Sequence, residues 1–462
     1  MKKFTVIYVA LFFCAFVYMA KHGVVGLDEI MLLDPGINFT HGNYSSKLWV
    51  AAGTELHFMA YLPAITVFRL PFLYLLPNNI LYHRLPFVLV FILCTWLIYK
   101  ITKARFKNTN LPLLTVLLFI NDKGLWDATL SGRSEILQVL LILLYFFFEL
   151  KNQNIFSTII KGFIVGCLLL THPPAWIIAI TLLFFLYKKK NVRLNILATI
   201  SVIFPLFLFL FSIHFKIHEL ASQLFMDGSL LSSQHSLYYR LTHFYSRGLP
   251  YPYLYQPWVI LLFFLSLYFS ASPAIFKERL IKKIVLLFVV YLIFLIFTAE
   301  NYYRYNVPLL TCMYLMFPYI IKHLKEKNRF VSKPYLTGLM IFFISIPFVF
   351  RLAQVVRNRE YNETETLVNQ FKNDPIINQS VSTLLVGEPV GYYLALNTPL
   401  TTFSTTYSIA KFSLEKYSKV YYLSCKALPP RDFRLIQEYH STAIEDGTYK
   451  GLKWYEAIKP SF

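Results

Sequence analysis

The run 4-FTVIYVALFFCAFVYMA-20 sets the class of this protein, because it contains no charged residue and follows the basic start Met1-Lys2-Lys3. Comparable apolar runs recur along most of the 462 residues, and only 15% of all residues are charged. A soluble protein would carry about 25% charged residues. The runs are continuous rather than alternating, which is expected of helices in lipid and not of barrel strands. The sequence therefore predicts a polytopic α-helical membrane protein.

Eleven apolar runs are candidates for membrane-spanning helices, although several are shorter than the roughly 20 residues of a full crossing. They cover residues 4–20, 85–101, 109–121, 135–150, 155–172, 174–187, 194–213, 257–275, 284–299, 306–321 and 334–352. One further apolar run, 56–77, contains His57, Arg69 and three prolines. A crossing there would put the later basic loops outside, so we interpret it as an interfacial helix in the first external loop.

The net charge of +20 is concentrated in short loops such as 100-KITKARFK-107, 188-KKKNVR-193 and 322-KHLKEKNR-329. Because basic loops of membrane proteins stay in the cytoplasm, this charge indicates topology and not a nucleic-acid partner. The first run lacks an A-x-A-like cleavage site, so we interpret it as an uncleaved anchor. The N-terminus is then cytoplasmic and the C-terminus external. The short basic loops fit a bacterial inner membrane, with an endoplasmic reticulum membrane as the alternative.

The chain after residue 352 has a different pattern. A polar helical segment at 357–372 is followed by strand-like segments at 381–387 and 418–425, with a short segment at 398–403 between them. Strands that alternate with short helices predict a small α/β domain. We therefore expect a transmembrane domain over 1–352 and an extracytoplasmic α/β domain over 353–462.

The predicted topology gathers unusual polar residues on the outer side. Each follows or precedes an apolar run: Asp28, Glu29, Arg133, Glu135, His172, Glu300 and Arg304. Each alone has an ordinary explanation, such as a solvated loop acid or a snorkelling arginine. Together they suit a phosphate, which guanidinium groups bind through paired hydrogen bonds, and a carboxylate that can accept the proton of a hydroxyl. The pattern indicates transfer of a group from a lipid phosphate to a hydroxyl acceptor.

Four motifs resemble the C-type integral membrane glycosyltransferases that use polyprenyl-phosphate sugars, in particular the protein O-mannosyltransferase and lipid A aminoarabinose transferase group. They are the acidic pair 28-DE-29, 131-SGRSEIL-137, 170-LTHPP-174 and 302-YYRYNVPLL-310. The order of these motifs, the long first external loop and the C-terminal domain extend the resemblance over most of the chain. The residues Ile30-Met31 after the acidic pair depart from the group's pattern, which bears on donor and acceptor identity.

The resemblance implies an inverting, single-displacement glycosyltransferase that takes its sugar from a polyprenyl-phosphate donor. Asp28, next to Glu29, would be the catalytic base that activates the acceptor. The implied donor-binding residues are Arg133, Arg304 and Lys47 at the phosphate, Glu135 beside Arg133 or at the sugar, His172 where relatives often carry lysine, and Tyr302 and Tyr303 along the cavity. The acceptor would be an envelope lipid, glycan or protein. We expect no cofactor and no metal, because many members of the group act without one.

Three alternatives remain open from the sequence. A transporter or flippase of lipid-linked sugars is the main one, although such proteins often show repeated halves and polar groups at mid-membrane. A membrane-tethered binding protein would not need about eleven crossings. A polymerase or ligase of lipid-linked glycans would use similar outer arginines, so only acceptor assays would separate it from a sugar transferase.

Overall fold

The computed structural model describes residues 2–22, 27–40, 63–76, 80–151, 154–187, 191–212, 214–218, 236–249, 251–254, 256–273, 275, 278–298, 303–327 and 334–357, and five short strands between 383 and 458. The described chain before residue 358 is helical. The five strands form one sheet.

The helices follow the apolar runs of the sequence. In chain order they are α1 (Lys2–His22), α2 (Leu27–Thr40), α3 (Ala64–Leu75), α4 (Ile80–Arg105), α5 (Leu111–Ile120), α6 (Lys123–Leu130), α7 (Ser134–Leu150), α8 (Ile155–Leu169), α9 (Ala175–Leu186), α10 (Val192–Ser212), α11 (Leu237–His243), α12 (Pro257–Ser270), α13 (Arg279–Phe297), α14 (Val307–Lys327) and α15 (Pro334–Arg357). Short turns of other helix types cover Phe244–Gly248 (π), Tyr251–Tyr253 (3₁₀) and Tyr303–Asn306 (3₁₀).

Every candidate span of the sequence coincides with one of these helices. Within the described ranges, five segments are long and apolar enough to cross a membrane: Thr5–His22, Leu81–Arg105, Val192–Ser212, Arg279–Phe297 and Tyr303–Glu326. Five shorter apolar helices accompany them, among them α3, which lies in the run predicted to be interfacial. The protein is therefore a helical integral membrane protein, and the number of eleven crossings stays a prediction.

The chain divides into two compact units. The first comprises Met1–Val17, Met59–Ile65 and Leu85–Ala353, and the second comprises Tyr18–Phe58, Thr66–Arg84 and Gln354–Phe462. These units group chain segments differently from the predicted domain boundary at residue 352, which stays a prediction.

Helix α14 is the centre of the first unit, since it contacts α5, α6, α7, α12 and α13. Its buried side chains include Leu309, Leu310, Met313 and Tyr314, which point to more than one side of the helix. A helix that is apolar all round must be surrounded by other helices or by lipid. The surrounding helices explain why α14 buries most of its length.

Helices α8 and α10 pack closely because small residues line their contact. A Cβ atom added at Gly162 would meet the carbonyl oxygen of Ala198 at 2.8 Å, and one at Gly166 would meet the backbone of Val202. Glycines four residues apart allow two helix backbones to approach in this way. Most bulky residues of α10 lie on its exposed side, including Ile196, Ile200, Ile203, Phe207 and Phe211. Small residues inside and large apolar residues outside are typical of a lipid-facing helix.

The sheet contains β1 (Thr383–Gly387), β2 (Thr401–Phe403), β3 (Lys419–Ser424), β4 (Thr442–Tyr449) and β5 (Leu452–Ile458) in the order β2-β1-β3-β5-β4. Strand β1 is parallel to β2 and β3, and β5 is antiparallel to β3 and β4. Strands β1 and β3 lie within the predicted strand segments. Strand β2 lies within the short segment 398–403, and the β4–β5 hairpin was not predicted. The predicted helix at 357–372 lies almost entirely outside the described residues, so the α/β domain stays a prediction.

Candidate functional site

The turn between α6 and α7 positions the first pair of charged residues. Gly132 has a φ of 57°, a left-handed conformation that glycine adopts without strain. Arg133 then returns to extended backbone and precedes α7, and its amide donates to the carbonyl of Ala128 at 2.9 Å. Glu135 falls in the first turn of α7, where the helix dipole favours a negative charge. The segment SGRSE therefore brings an arginine and a glutamate to one helix end.

Arg133 and Glu135 form a buried ion pair. Nε of Arg133 donates to Oε2 and Oε1 of Glu135 at 3.1 and 3.3 Å, and Nη2 donates to Oε1 at 3.2 Å. Only 9% of the Arg133 side chain and 1% of the Glu135 side chain are exposed. A buried guanidinium and a buried carboxylate each need a partner, and here each supplies the other. The pairing fixes the guanidinium of Arg133 in one orientation.

His172 lies next to this pair, in the turn between α8 and α9. Its ring stacks on Tyr305 with 5.6 Å between ring centroids. Burial, together with the nearby Arg133 and Arg304, lowers the pKa of His172 to about 4, although Glu135 opposes the shift. His172 is therefore neutral at physiological pH. Its Nδ1 atom is buried and has no hydrogen-bond partner in the described part of the chain.

The 3₁₀ turn Tyr303–Asn306 connects this pair to a second group of polar residues. Arg304 interacts electrostatically with Glu135. The carbonyl of Tyr305 accepts a hydrogen bond from Tyr291 at 2.9 Å, which ties the turn to α13. We refer to Arg133, Glu135, His172, Arg304 and Tyr305 as the Glu135 cluster.

Asp127 is the acid of the second group, and it was not among the site residues predicted from the sequence. The hydroxyl of Tyr303 donates to Asp127 Oδ2 at 2.8 Å, and Lys123 Nζ lies 4.0 Å from the same oxygen. Burial raises the pKa of Asp127, although Lys123, Tyr303 and Arg351 oppose the shift. The side chain of Asp127 keeps 20% of its surface exposed, so a ligand could reach it. The sequence did contain a signal for Asp127, because it lies on the predicted outer segment 121–137 together with the predicted site residues Arg133 and Glu135.

Helix α6, which carries Asp127, is held by buried polar contacts. Asp122 caps the helix by accepting from the amide of Leu125 at 3.2 Å and also accepts from the Tyr314 hydroxyl at 2.5 Å. Burial raises the pKa of Asp122 to about 6. Gln256 bridges the carbonyl of Asn121 at 2.8 Å and the amide of Lys123 at 3.1 Å. These hydrogen bonds explain why Asp122 is buried, and they hold the helix that carries Asp127 in place.

In the second unit, Glu29 is a buried ion-pair partner. Arg84 donates to both of its carboxylate oxygens at 2.7 Å and to the carbonyl of Ala20 at 2.9 Å. Arg69 is also buried and interacts electrostatically with Glu29, although the sequence placed it in a surface-lying segment. The carboxylate of Glu29 is thus occupied by an arginine that the sequence reading did not select. Its adjacent position, Asp28, is described only as part of the backbone of α2.

The remaining predicted site residues, Lys47, Tyr302 and Glu300, lie outside the described residues. Among the residues that are described, the structure brings Arg133, Glu135, His172 and Arg304 into one electrostatically connected cluster. It contains two guanidinium groups and one carboxylate, so a net positive charge faces any ligand there. Such a cluster suits an anion. No group of three or more His, Cys, Asp or Glu side chains forms a metal site within the described ranges.

Comparisons with known proteins give a match in structure but not in sequence. No family model and no curated protein matches this chain. The crystal structure of ArnT from Cupriavidus metallidurans bound to undecaprenyl phosphate is similar to it, with a TM-score of 0.64 and 10% identity over 99% of this chain and 98% of ArnT. The apo state of the same ArnT gives a TM-score of 0.65 at 9% identity, over 98% of both chains.

The chain has the ArnT fold. This likeness confirms the predicted resemblance at the level of the fold, because ArnT is a lipid A aminoarabinose transferase of the C-type glycosyltransferase group. The ArnT fold extends over nearly the whole chain and not over a single domain.

Proposed function

We propose that this protein is an inverting glycosyltransferase that moves a sugar from a polyprenyl-phosphate donor to a hydroxyl or phosphate acceptor. The observation that carries the proposal is the similarity to ArnT over 98–99% of both chains, one of the ArnT structures being a complex with undecaprenyl phosphate. The sequence identity to ArnT is only 9–10%, so this similarity is evidence for the fold alone. The chemistry must therefore be argued from the residues of this chain.

The Glu135 cluster supports a phosphate-binding role. Arg133 is buried and oriented by Glu135, and Arg304 lies close enough to act on the same carboxylate. Two guanidinium groups can bind the donor phosphate and stabilise the charge that grows on it as the sugar leaves. Lys47 is proposed as a further phosphate ligand, and Tyr302 and Tyr303 as cavity residues, on the basis of the sequence motifs.

We assign the base to Asp28 and a positioning role to Glu29. In the proposed step an acceptor oxygen attacks the anomeric carbon, Asp28 takes its proton, and the bond from that carbon to the phosphate oxygen breaks. The polyprenyl phosphate leaves with the electron pair. Glu29 is less suited to this role, because both of its oxygens accept hydrogen bonds from Arg84. An ionised aspartate can begin the reaction as a base without a shifted pKa.

The proposed site faces the outer side of the membrane, where the positive-inside rule puts these residues. The N-terminus is then cytoplasmic and the C-terminal α/β domain extracytoplasmic, in a bacterial inner membrane. The acceptor is an envelope lipid, glycan or protein, and the donated sugar is a hexose or a pentose. No cofactor is required by the proposed step.

The test compares two neighbouring carboxylates. Purified wild type, Asp28→Asn and Glu29→Gln are incubated with radiolabelled polyprenyl-phosphate sugars and with envelope lipid and protein extracts. Asp28→Asn should lose about 10²- to 10⁴-fold in turnover at unchanged thermal stability, because it removes a general base. Glu29→Gln should instead lower stability by about 3–5 kcal/mol, because it leaves the buried Arg84 guanidinium without its countercharge.

Turnover by Asp28→Asn at the wild-type rate would exclude it as the base. Wild-type stability of Glu29→Gln would show that its pair with Arg84 does not stabilise the fold, and turnover at the wild-type rate would exclude the positioning role of Glu29. If no acceptor becomes labelled, the same preparations are reconstituted in liposomes. Movement of a lipid-linked sugar across the bilayer that depends on Asp28 would then favour the flippase over the transferase.

A further inference from the structure

Gln138 is a buried amide in an otherwise apolar stretch of α7. Its residue surface is only 1% exposed, and neither Oε1 nor Nε2 has a hydrogen-bond partner in the described part of the chain. Buried polar groups in folded proteins are nearly always hydrogen-bonded, and an orphaned one costs about 1–3 kcal/mol. An amide with both ends unsatisfied is therefore not explained by packing alone.

Gln138 follows Glu135 by three residues on α7. Residues three apart lie on the same face of a helix, and the rise between them is about 4.5 Å. Gln138 therefore continues the Glu135 cluster by one turn along the helix. The second unsatisfied group, Nδ1 of His172, belongs to the cluster itself. Its ring is held in place by stacking on Tyr305.

The chemistry of the two groups distinguishes between ligand classes. The Gln138 amide offers donors at Nε2 and an acceptor at Oε1. A phosphate, which is acceptor-only when ionised, would leave Oε1 unsatisfied. A polyprenyl chain would satisfy neither atom. A hydroxyl or amino group both donates and accepts, so a sugar can satisfy the amide completely.

The neutral state of His172 points in the same direction. Because burial keeps the imidazole uncharged, His172 adds no third positive charge for the phosphate. A neutral imidazole nitrogen forms a single directional hydrogen bond, as donor or as acceptor according to the tautomer. Such a group is suited to forming a hydrogen bond with one hydroxyl of a bound sugar.

We propose that Gln138 and His172 form the sugar-reading part of the donor site, next to the phosphate-binding Arg133 and Arg304. This inference rests on the proposed function, because it assumes a polyprenyl-phosphate sugar as the ligand. The phosphate and the sugar of the donor would then bind to different residues of neighbouring groups. Arginines bind the phosphate that every donor shares, and the neutral pair selects the sugar.

The experiment measures binding before turnover. Thermal stabilisation by undecaprenyl phosphate, and by undecaprenyl-phosphate glucose, mannose and aminoarabinose, is compared for wild type, Gln138→Met and Gln138→Leu. Methionine matches the volume and unbranched shape of glutamine and removes an orphaned polar group, so both variants should fold. Ser266→Ala is the matched control, because Ser266 is fully buried on α12 and its hydroxyl is also unsatisfied in the described structure.

Wild type should bind one sugar-bearing lipid about tenfold or more tightly than bare undecaprenyl phosphate, because Gln138 and His172 both form hydrogen bonds that only the sugar offers. Both Gln138 variants should lose about two- to tenfold for that lipid and keep their affinity for bare undecaprenyl phosphate. His172→Asn should lower the same sugar-dependent preference. Ser266→Ala should behave as wild type.

Several results would overturn the inference. One is equal binding of bare and sugar-bearing lipids by wild type, and another is an unchanged preference in both Gln138 variants. A parallel loss of affinity for undecaprenyl phosphate itself would show a structural role instead. The proposed function is judged separately, by label transfer with wild type: transfer combined with an unchanged Gln138 preference leaves the function standing and removes only the sugar-reading pair.

Discussion

Helix α7 carries one buried glutamate at each end, and the two ends are built differently. Glu149, at the C-terminal end, receives Lys283 Nζ on Oε1 at 2.6 Å and Lys161 Nζ on Oε2 at 2.9 Å. Glu135, at the N-terminal end, shares one guanidinium across both oxygens at 3.1–3.3 Å. Both carboxylates are almost completely buried, with 5% and 1% of their side chains exposed.

The difference lies in what each end leaves unsatisfied. At Glu149 every oxygen has its own lysine, and the lysines come from α8 and α13, so the carboxylate joins three helices. At Glu135 the neighbouring Gln138 and His172 Nδ1 have no partner in the described chain. Buried polar groups that are all hydrogen-bonded favour one unique structure. A buried polar group without a partner needs an explanation, and a bound ligand is one. We infer that one end of α7 stabilises the bundle and the other binds.

The largest effect is expected from Glu149→Gln. Removing this carboxylate leaves two nearly buried ammonium groups without a countercharge, which should cost about 3–5 kcal/mol in the free energy of unfolding. The measurement is equilibrium unfolding in mixed micelles. Donor binding by the protein that remains folded should be unchanged.

A charge-free variant is the control for this prediction. Replacing all three groups, as Glu149→Leu with Lys161→Met and Lys283→Met, should restore stability to near the wild-type value, because apolar replacements of buried ion pairs are often neutral or stabilising. Wild-type stability in Glu149→Gln alone would show that water or lipid head groups reach this cluster and would remove the contrast between the two ends.

A smaller effect, on donor use rather than on stability, is expected from Arg133→Lys. Lysine keeps the charge but cannot reproduce the planar fork that is oriented by Glu135. The ratio kcat/KM for the donor should fall about 10- to 100-fold, corresponding to the 1.5–3 kcal/mol typical of a hydrogen bond to a charged group. Thermal stability should change little.

The matched control is Arg279 of α13, which lies near the glutamate at the other end of α7. Arg279 Nε is 3.9 Å from Glu149, and 65% of its side chain is exposed. Arg279→Lys should therefore change neither donor use nor stability, since exposed ion pairs contribute little. Equal losses in Arg133→Lys and Arg279→Lys would contradict the assignment of binding to one end only.

Much of the helical architecture follows from the sequence because lipid requires long continuous apolar runs. The eleven candidate spans each correspond to a helix. Helix α6 was missed, since it has only eight residues and its segment KGLWDATL is partly polar. The central position of α14 could not be predicted either, because an apolar helix in lipid carries little information about which neighbours cover it.

Within the site, local contacts were predictable and distant ones were not. Arg133 and Glu135 are two residues apart, so the sequence motif itself contains their pairing. Glu29 and Arg84 are 55 positions apart, and only the fold reveals that this acid of the predicted catalytic pair is engaged elsewhere. Gln138 did have a signal, because a lone amide inside a predicted membrane span is a candidate functional residue.

The smallest effect is expected from the protonation of His172, and it tests whether the binding end of α7 is neutral at this position. The folded-state pKa of about 4 is below the ordinary value of 6.5, because of burial and of the facing Arg133 and Arg304, with Glu135 opposing. Between these two pKa values the unfolded chain binds more protons than the folded one, so stability contributed by neutral His172 falls as the pH drops through this window. The melting temperature of wild type should therefore decrease more than that of His172→Asn between neutrality and about pH 5, by roughly 2–4 °C for each kcal/mol involved. Parallel curves for the two proteins would mean that His172 has the same pKa in both states, and the Glu135 cluster would then gain a third positive charge only below the ordinary pKa of 6.5.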